Sequence, residues 1–155
     1  APNGNGDYGR GIQIQDQASL SLTSAAVLDS REMALSVAAM SVALLEDVVL
    51  SGTSTGVKNV WGLADGLLVS FSEVEASGLV VHGNDRAGVF YNNSSGALTG
   101  SLLTSNAIGL VNQGQPQASV GDDNIISGNE DDTYTGADLE LPDNAAEIPE
   151  IPNLD

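Results

Sequence analysis

Three stretches of this chain share one five-residue shape. VVHGN at 80–84, LLTSN at 102–106 and IISGN at 125–129 each set two aliphatics and a spacer before Ser or Gly and a final Asn. VLDSR at 27–31 and VLSGT at 49–53 are degenerate copies, and the five copies start 22, 31, 22 and 23 residues apart. A fixed period constrains a fold more than local propensity does, because each unit must stack on the next to bury its apolar face. The longer step reads as a nine-residue insertion within 52–66.

Two further segments keep the same step. GIQI, ALSV, GLLV, GVFY and GLVN begin at 11, 34, 66, 88 and 109. Between the two motifs lie the pairs Leu20/Leu22, Val42/Leu44, Val74/Ala76, Gly96/Leu98 and Ala118/Val120. Each repeat thus offers three short apolar segments of period two, the signature of a strand. REMALSVAAMSVALLEDV at 31–48 contains good helix formers, but Leu35/Val37 and Val42/Leu44 keep the strand register. The expected fold is all-β, a parallel β-helix of about five coils with ~22 residues per coil.

Stacking places equivalent residues in columns. Val80, Leu102 and Ile125 are expected to form one buried row. Arg31, Thr53, Asn84, Asn106 and Asn129 should turn a corner, with Asn84, Asn106 and Asn129 bonding up and down the stack as a structural ladder. The polar column Asp29, Ser51, His82, Thr104 and Ser127 should face outward. So should Gln13, Ser36, Leu68, Phe90 and Val111, which form none of the Thr-x-Thr ranks an ice-binding face wants.

GLLV…VVHGN, GVFY…LLTSN and GLVN…IISGN resemble the degenerate repeats of the right-handed parallel β-helix superfamily, the pectin-lyase-like architecture of many secreted proteins. The resemblance covers residues 11–132. It implies right-handed coils and a secreted or surface location, and it says little about activity. Leucine-rich repeats share the period and an Asn corner, but they want a Leu where SLLTSN has Ser101.

Composition bounds the partners. The chain has 155 residues, a formal charge of −17 and only four bases, Arg10, Arg31, Lys58 and Arg86. Nucleic acid and anionic membranes are repelled by such a surface, and no stretch reaches the ~18 apolar residues of a spanning helix. Hydrophobic residues make up 41% with only six aromatics, which suits a narrow solenoid filled by small side chains. Residues 1–10 read as an entrance segment, against which further β-helix coils or another chain would stack. Residues 133–155 read as an acidic, Pro-containing C-terminal cap or tail.

Several residues invite a chemical reading. GDDN at 121–124 suggests Asp122 and Asp123 as an acid–base pair, since β-helix polysaccharidases place paired Asp on a coil face. The same four residues also make a good turn, and adjacent strand residues point to opposite faces. His82 offers a general base or an exposed surface imidazole. The insertion carries Lys58, Asn59 and Trp61, expected to bind a glycan or protein, with Trp61 stacking on the ligand or folding back to seal the loop. Glu130, Asp131 and Asp132 gather oxygens of the kind Ca²⁺ takes; no other cofactor is indicated. The leading expectation is a non-enzymatic secreted or surface module with a structural, adhesive, glycan- or protein-binding role. The alternative is a fragment of a carbohydrate-active β-helix enzyme, of the polysaccharide lyase or glycoside hydrolase kind.

Overall fold

The structure, a computed structural model, describes residues 9–55, 62–136, 138, 139 and 141. Those residues form a parallel β-solenoid without helix. Coil 1 contains β1 (Ile12–Ile14), β2 (Ser19–Thr23) and β3 (Ala26–Leu28); coil 2 contains β4 (Glu32–Ala38), β5 (Val42–Glu46) and β6 (Val49–Ser51). Coil 3 is β7 (Ala64–Ser70), β8 (Glu73–Ser77) and β9 (Val80–His82); coil 4 is β10 (Ala87–Asn92), β11 (Ser95–Thr99) and β12 (Leu102–Thr104). Coil 5 is β13 (Ile108–Gln113), β14 (Ser119–Val120) and β15 (Ile125–Ile126), after which β16 (Asp131–Thr133) opens a further turn. Each strand pairs with its equivalent one coil away, giving sheet 1 (β1-β4-β7-β10-β13-β16), sheet 2 (β14-β11-β8-β5-β2) and sheet 3 (β15-β12-β9-β6-β3). The segment 31–48 is strand, as its register predicts, despite its helix formers.

The step between coils follows the repeat, with three departures inside it. First, Val80, Leu102 and Ile125 are one row of sheet 3, but the row faces outward and Ile125 is 59% exposed. The buried row is the second aliphatic of each motif, Leu50, Val81 and Leu103. Neighbouring strand residues face opposite ways, so only one aliphatic of each pair can point in. Second, Ala43 and Leu45 fill the interior while Val42 and Leu44 lie outside. Third, the first coil is shifted by one: Leu28 pairs with Ser51. Ser30, whose carbonyl accepts the Ser54 N–H, then holds the corner place expected for Arg31.

Each corner pairs a left-handed residue with a polar or small one behind it. At the corner from sheet 3 to sheet 1, Asp29, Gly52, Gly83, Ser105 and Gly128 have φ of 53–74°. Ser30, Thr53, Asn84, Asn106 and Asn129 follow them in sequence. Asn84 Oδ1 accepts the Thr53 N–H at 3.0 Å. Asn106 Oδ1 accepts the N–H and the side-chain amide of Asn84 at 3.1 and 2.8 Å. Asn129 Oδ1 repeats both bonds to Asn106 at 3.0 Å, and Asp132 Oδ1 ends the series on Asn129 at 3.2 and 3.0 Å. Serines act likewise at the sheet 1–2 corner, where Ser41, Ser72 and Ser94 Oγ each accept a backbone N–H of the preceding coil at 3.2 Å. At the sheet 2–3 corner Ser101 Oγ takes the Leu79 N–H and Asn124 Oδ1 the Ser101 N–H, both at 3.0 Å.

Crowding behind the amide ladder accounts for the glycine that opens the sheet 1 motifs of coils 3, 4 and 5. A Cβ on Gly88 would lie 2.8 Å from Asn106 Nδ2, and one on Gly109 would lie 2.6 Å from Asn129 Nδ2. A Cβ on Gly66 would meet Asn84 Nδ2 at 3.0 Å. The carbonyls of Gly88, Gly109 and Asp132 in the next coil stand as close, at 2.7, 2.8 and 2.6 Å from the Cβ positions of Gly66, Gly88 and Gly109, so glycine makes room for that backbone as well as for the inward amide. In coil 2, where the corner residue is the more compact Thr53, the equivalent position is Ala34.

Inward residues of the three sheets form the main core: Leu35, Leu67 and Val89 from sheet 1, Leu45 and Leu98 from sheet 2, Leu50, Val81 and Leu103 from sheet 3. Tyr91 is the one aromatic in it, and its hydroxyl donates to the Val74 and Ala97 carbonyls at 3.4 and 3.5 Å. The expected outward row of sheet 1 is a second core. Leu68, Phe90 and Val111 are buried together with Met33 and Ala87. Leu63, from the end of the insertion, and Tyr134, Leu139 and Leu141, from beyond the last coil, cover them. The Gln113 amide holds that cover by a two-way bond to the Leu139 backbone, both at 2.9 Å. Sequence patterning could not separate these positions from exposed ones, because a covered outer face and an interior face are both apolar.

Breaking the ladder leaves buried N–H groups unpaired, so Asn106→Ala is expected to lower unfolding free energy in urea by roughly 2–4 kcal/mol. Gly88→Ala overpacks the same corner and should lose about 1–3 kcal/mol. Because the two side chains contest one space, Gly88→Ala with Asn106→Thr should lose less than the two single changes added together. Additivity would show that the glycine column serves some other purpose.

Candidate functional site

The surface holds an open groove at the corner between sheets 1 and 2. Met40, Ser41, Val42, Phe71, Ser72, Glu73, Asn93 and Ser95 line it, and Gln115 and Pro116 close one end. Ser41 and Ser72 of the serine ladder form its floor, their hydroxyls committed to backbone N–H groups. Met40 and Phe71 stand on its rim, 66% and 61% exposed. Both have left-handed backbones, with φ of 62° and 48°.

That backbone is costly for such residues. A left-handed L-residue other than Gly, Asn or Asp loses about 1–2 kcal/mol to the contact of Cβ with the carbonyl. At the same corner coil 1 has Asp16 and Gln17, coil 2 has Ala39 before Met40, coil 4 has Asn93 and coil 5 has Gly114, so coils 1, 4 and 5 meet this demand with polar or small residues. Coils 2 and 3 instead display a thioether and a phenyl ring to solvent. Asn93 Oδ1 accepts the Gln115 N–H at 3.2 Å, which fixes the groove's far end. The result is a shallow site with an apolar rim, and amide, hydroxyl and carboxylate groups within it.

A second groove runs over the amide ladder, lined by Gly83, Asn84, Asp85, Ser105, Asn106, Gly128, Asn129 and Glu130. Its asparagines are occupied by one another and by the Val81 and Leu103 carbonyls. Asp85 Oδ2 accepts the Thr55 N–H at 3.3 Å, tying the start of the insertion to the next coil.

The residues singled out in the sequence are dispersed. Asp122 and Asp123 sit exposed on a turn after β14, where the Asn124 amide bonds the Gly121 carbonyl at 2.7 Å. His82 is exposed at the end of β9, its Nδ1 3.3 Å from Ser51 Oγ; among the described residues no bond joins it to either aspartate. Glu130 lies at a corner, Asp131 pairs with Ile108 in sheet 1, and Asp132 caps the ladder. Among the described residues no three His, Asp or Glu side chains converge on a metal position, and no helix is long and apolar enough to cross a membrane. Lys58, Asn59 and Trp61 lie outside the described residues.

Arg86 reaches back one coil to Asp65 instead of to its neighbour Asp85. Asp65 is fully buried, and its Oδ1 accepts Arg86 Nε at 2.8 Å and the Ala87 N–H at 3.2 Å, while Oδ2 takes Arg86 Nη2. The guanidinium lies 5.1 Å from the centre of the Phe90 ring, which adds a cation–π attraction of about 0.5–2 kcal/mol. This assembly pins the end of the insertion to sheet 1. The signal that could have found it is the spacing: Asp65 and Arg86 are 21 residues apart, almost one coil.

Burial pushes the Asp65 carboxyl above its ordinary 3.8, against the opposing pull of the Arg86 hydrogen bonds and charge. The folded chain therefore holds that proton longer than the unfolded chain does. As pH rises from 3.8 through the folded value, ionising Asp65 removes stability. Asp65→Asn, which cannot ionise, is expected to be less stable in acid because its amide offers one oxygen where the carboxyl offers Arg86 and the Ala87 N–H two. Its deficit relative to the native chain should narrow as pH rises from 3.8. Chemical denaturation at a series of pH values measures that gap, and a deficit that widened instead would reverse the assignment.

No protein-family model, no curated protein and no solved structure matches this chain.

Proposed function

We propose that the chain is a non-catalytic adhesive module, a member of the right-handed, pectin-lyase-like β-helix group that acts at the cell surface or outside the cell and binds its partner in the Met40–Phe71 groove. One observation carries the reading: two large apolar side chains are held out to solvent on left-handed backbone where the other coils have Asp16 and Gln17, Asn93 and Gly114. Such strain persists where function requires the side chain, not where stability does. The polar wall of Glu73, Asn93, Ser95 and Gln115 supplies directional contacts beside the rim, the mixture typical of a recognition site. The polar ladders beneath support the reading too, because a rigid floor lowers the ordering cost of binding.

Stability and binding should then respond in opposite directions. Phe71→Asn is expected to raise unfolding free energy by about 1 kcal/mol, since Asn tolerates the left-handed region. It should also abolish retention on a panel of neutral oligosaccharides and peptides. Retention by the native chain should produce no new reducing ends. Cleavage of a glycan, abolished by Asp123→Asn, would overturn the proposal in favour of the carbohydrate-active enzyme.

A further inference from the structure

The outer face of sheet 2 carries a pattern confined to two coils. Coil 2 presents Met40 at the corner, then Val42, Leu44 and Glu46. Coil 3 presents Phe71, then Glu73, Glu75 and Ser77. Register sets these side by side, Val42 against Glu73, Leu44 against Glu75 and Glu46 against Ser77, about 4.8 Å apart. The Met40 N–H bonds the Phe71 carbonyl at 2.8 Å, so the rim pair is adjacent as well.

The flanking coils are different. Coil 1 has Ser19, Ser21 and Thr23 at the equivalent positions, and coil 4 has Ser95, Ala97 and Thr99. Small polar and neutral residues thus frame an aliphatic ridge and an acidic ridge that run in parallel. Four of the six large hydrophobic side chains exposed among the described residues belong to this patch: Met40, Val42, Leu44 and Phe71. Exposed apolar area rimmed by polar residues marks an interaction surface.

The acidic ridge identifies the partner. Glu73 and Glu75 are exposed, and the ion pairs among the described residues are Arg10–Glu32 and Arg86–Asp65, so among those residues neither glutamate has a cation beside it. Carboxylates adjacent to Val42 and Leu44 gain nothing from those neighbours. They complement a cation that arrives with an aliphatic surface attached. A neutral sugar would satisfy the aromatic rim but would leave both carboxylates unmatched.

We propose that this face docks an extended segment of a partner protein in which Lys or Arg alternates with aliphatic residues. The cations lie over Glu73 and Glu75 and the aliphatic residues over Val42, Leu44, Met40 and Phe71. From Met40 to Glu46 the face measures about 20 Å, the length of six strand steps, which a heptapeptide spans. This inference rests on the binding reading above and assigns its partner class. Electrostatic steering by the −17 chain speeds the encounter, while the local pattern selects the sequence.

The test uses the whole chain and a fluorescent heptapeptide, Lys-Val-Lys-Val-Lys-Val-Lys, with a Lys/Ser heptapeptide of equal charge as control. Anisotropy titrations at two salt concentrations read the affinity. The Lys/Val peptide is expected to bind at least tenfold more tightly than the Lys/Ser peptide. Glu73→Gln with Glu75→Gln should weaken binding about tenfold and flatten its salt dependence. Val42→Ser with Leu44→Ser, which copies the residues of coil 1, should weaken it about tenfold and leave the salt dependence intact. Equal binding of the two peptides, unaltered by either double variant, overturns the inference and reduces the effect to bulk charge. Oligosaccharide retention lost in Phe71→Asn, with no Lys/Val binding, overturns the partner class and leaves the adhesive module standing. Loss of both sinks the two proposals together.

Discussion

Everything in this solenoid depends on how a corner disposes of its backbone N–H. Along the strands, sheet pairing satisfies the main chain without help from side chains. At a corner the strand ends, the backbone turns through a left-handed residue, and one donor is left facing the next coil. A buried donor without an acceptor costs about 1–3 kcal/mol, and five coils of three corners would multiply that into a large fraction of a domain's stability. The polar corner residues answer it by offering an oxygen from the coil above. Asn is the fuller answer, because its amide also donates, to Val81 or Leu103 carbonyls as well as along the ladder. Its size is then met by the glycines of sheet 1. Corner and glycine pack against each other wherever the corner residue is Asn.

That coupling decided what could be read in advance. Asn84, Asn106 and Asn129 were legible because chemistry and spacing pointed to the same column. The strands themselves were legible because every side chain repeats its alternation in each coil. The serine ladder escaped notice, although Ser41, Ser72 and Ser94 recur at the coil step, because serine is common in turns and its oxygen is small. Which aliphatic of each pair faces inward was legible in the polar column two residues on: His82 and Thr104 face outward, so alternation sets Val80 and Leu102 outward with them. Coil 1 slipped because VLDSR imitates the motif one residue out of register, and Ser30 is too inconspicuous to correct it.

The outer face of sheet 1 shows a different limit. Leu68, Phe90 and Val111 alternate with interior residues as outward positions must, yet they are buried. What covers them comes from the insertion and from the segment after the last coil, pieces that do not belong to the repeat. A repeat predicts its own stacking; it cannot predict which of its faces a non-repeating segment will occupy. The Asp65–Arg86 pair and the Gln113 amide are the fasteners for these segments, and neither fits the apolar pattern.

Sheet 2 completes the contrast. Its outer face lacks such a cover among the described residues, and it is there that the repeat is broken in a graded way. Ser19, Val42, Glu73 and Ser95 stand in one column, and so do Ser21, Leu44, Glu75 and Ala97. Stacking alone would accept small neutral residues at every one of these places, as coils 1 and 4 demonstrate. Substituting Val, Leu and Glu leaves the interior untouched, because alternation keeps outward residues out of the core. Substituting Met and Phe at the corner does worse than leave stability alone, since it imposes left-handed strain that Asn93 avoids. The fold is therefore indifferent to one half of the patch and opposed to the other. A surface maintained against the preference of its own backbone has its explanation in what it meets, and the rigid ladders behind it are what allow so small a patch to hold a fixed shape.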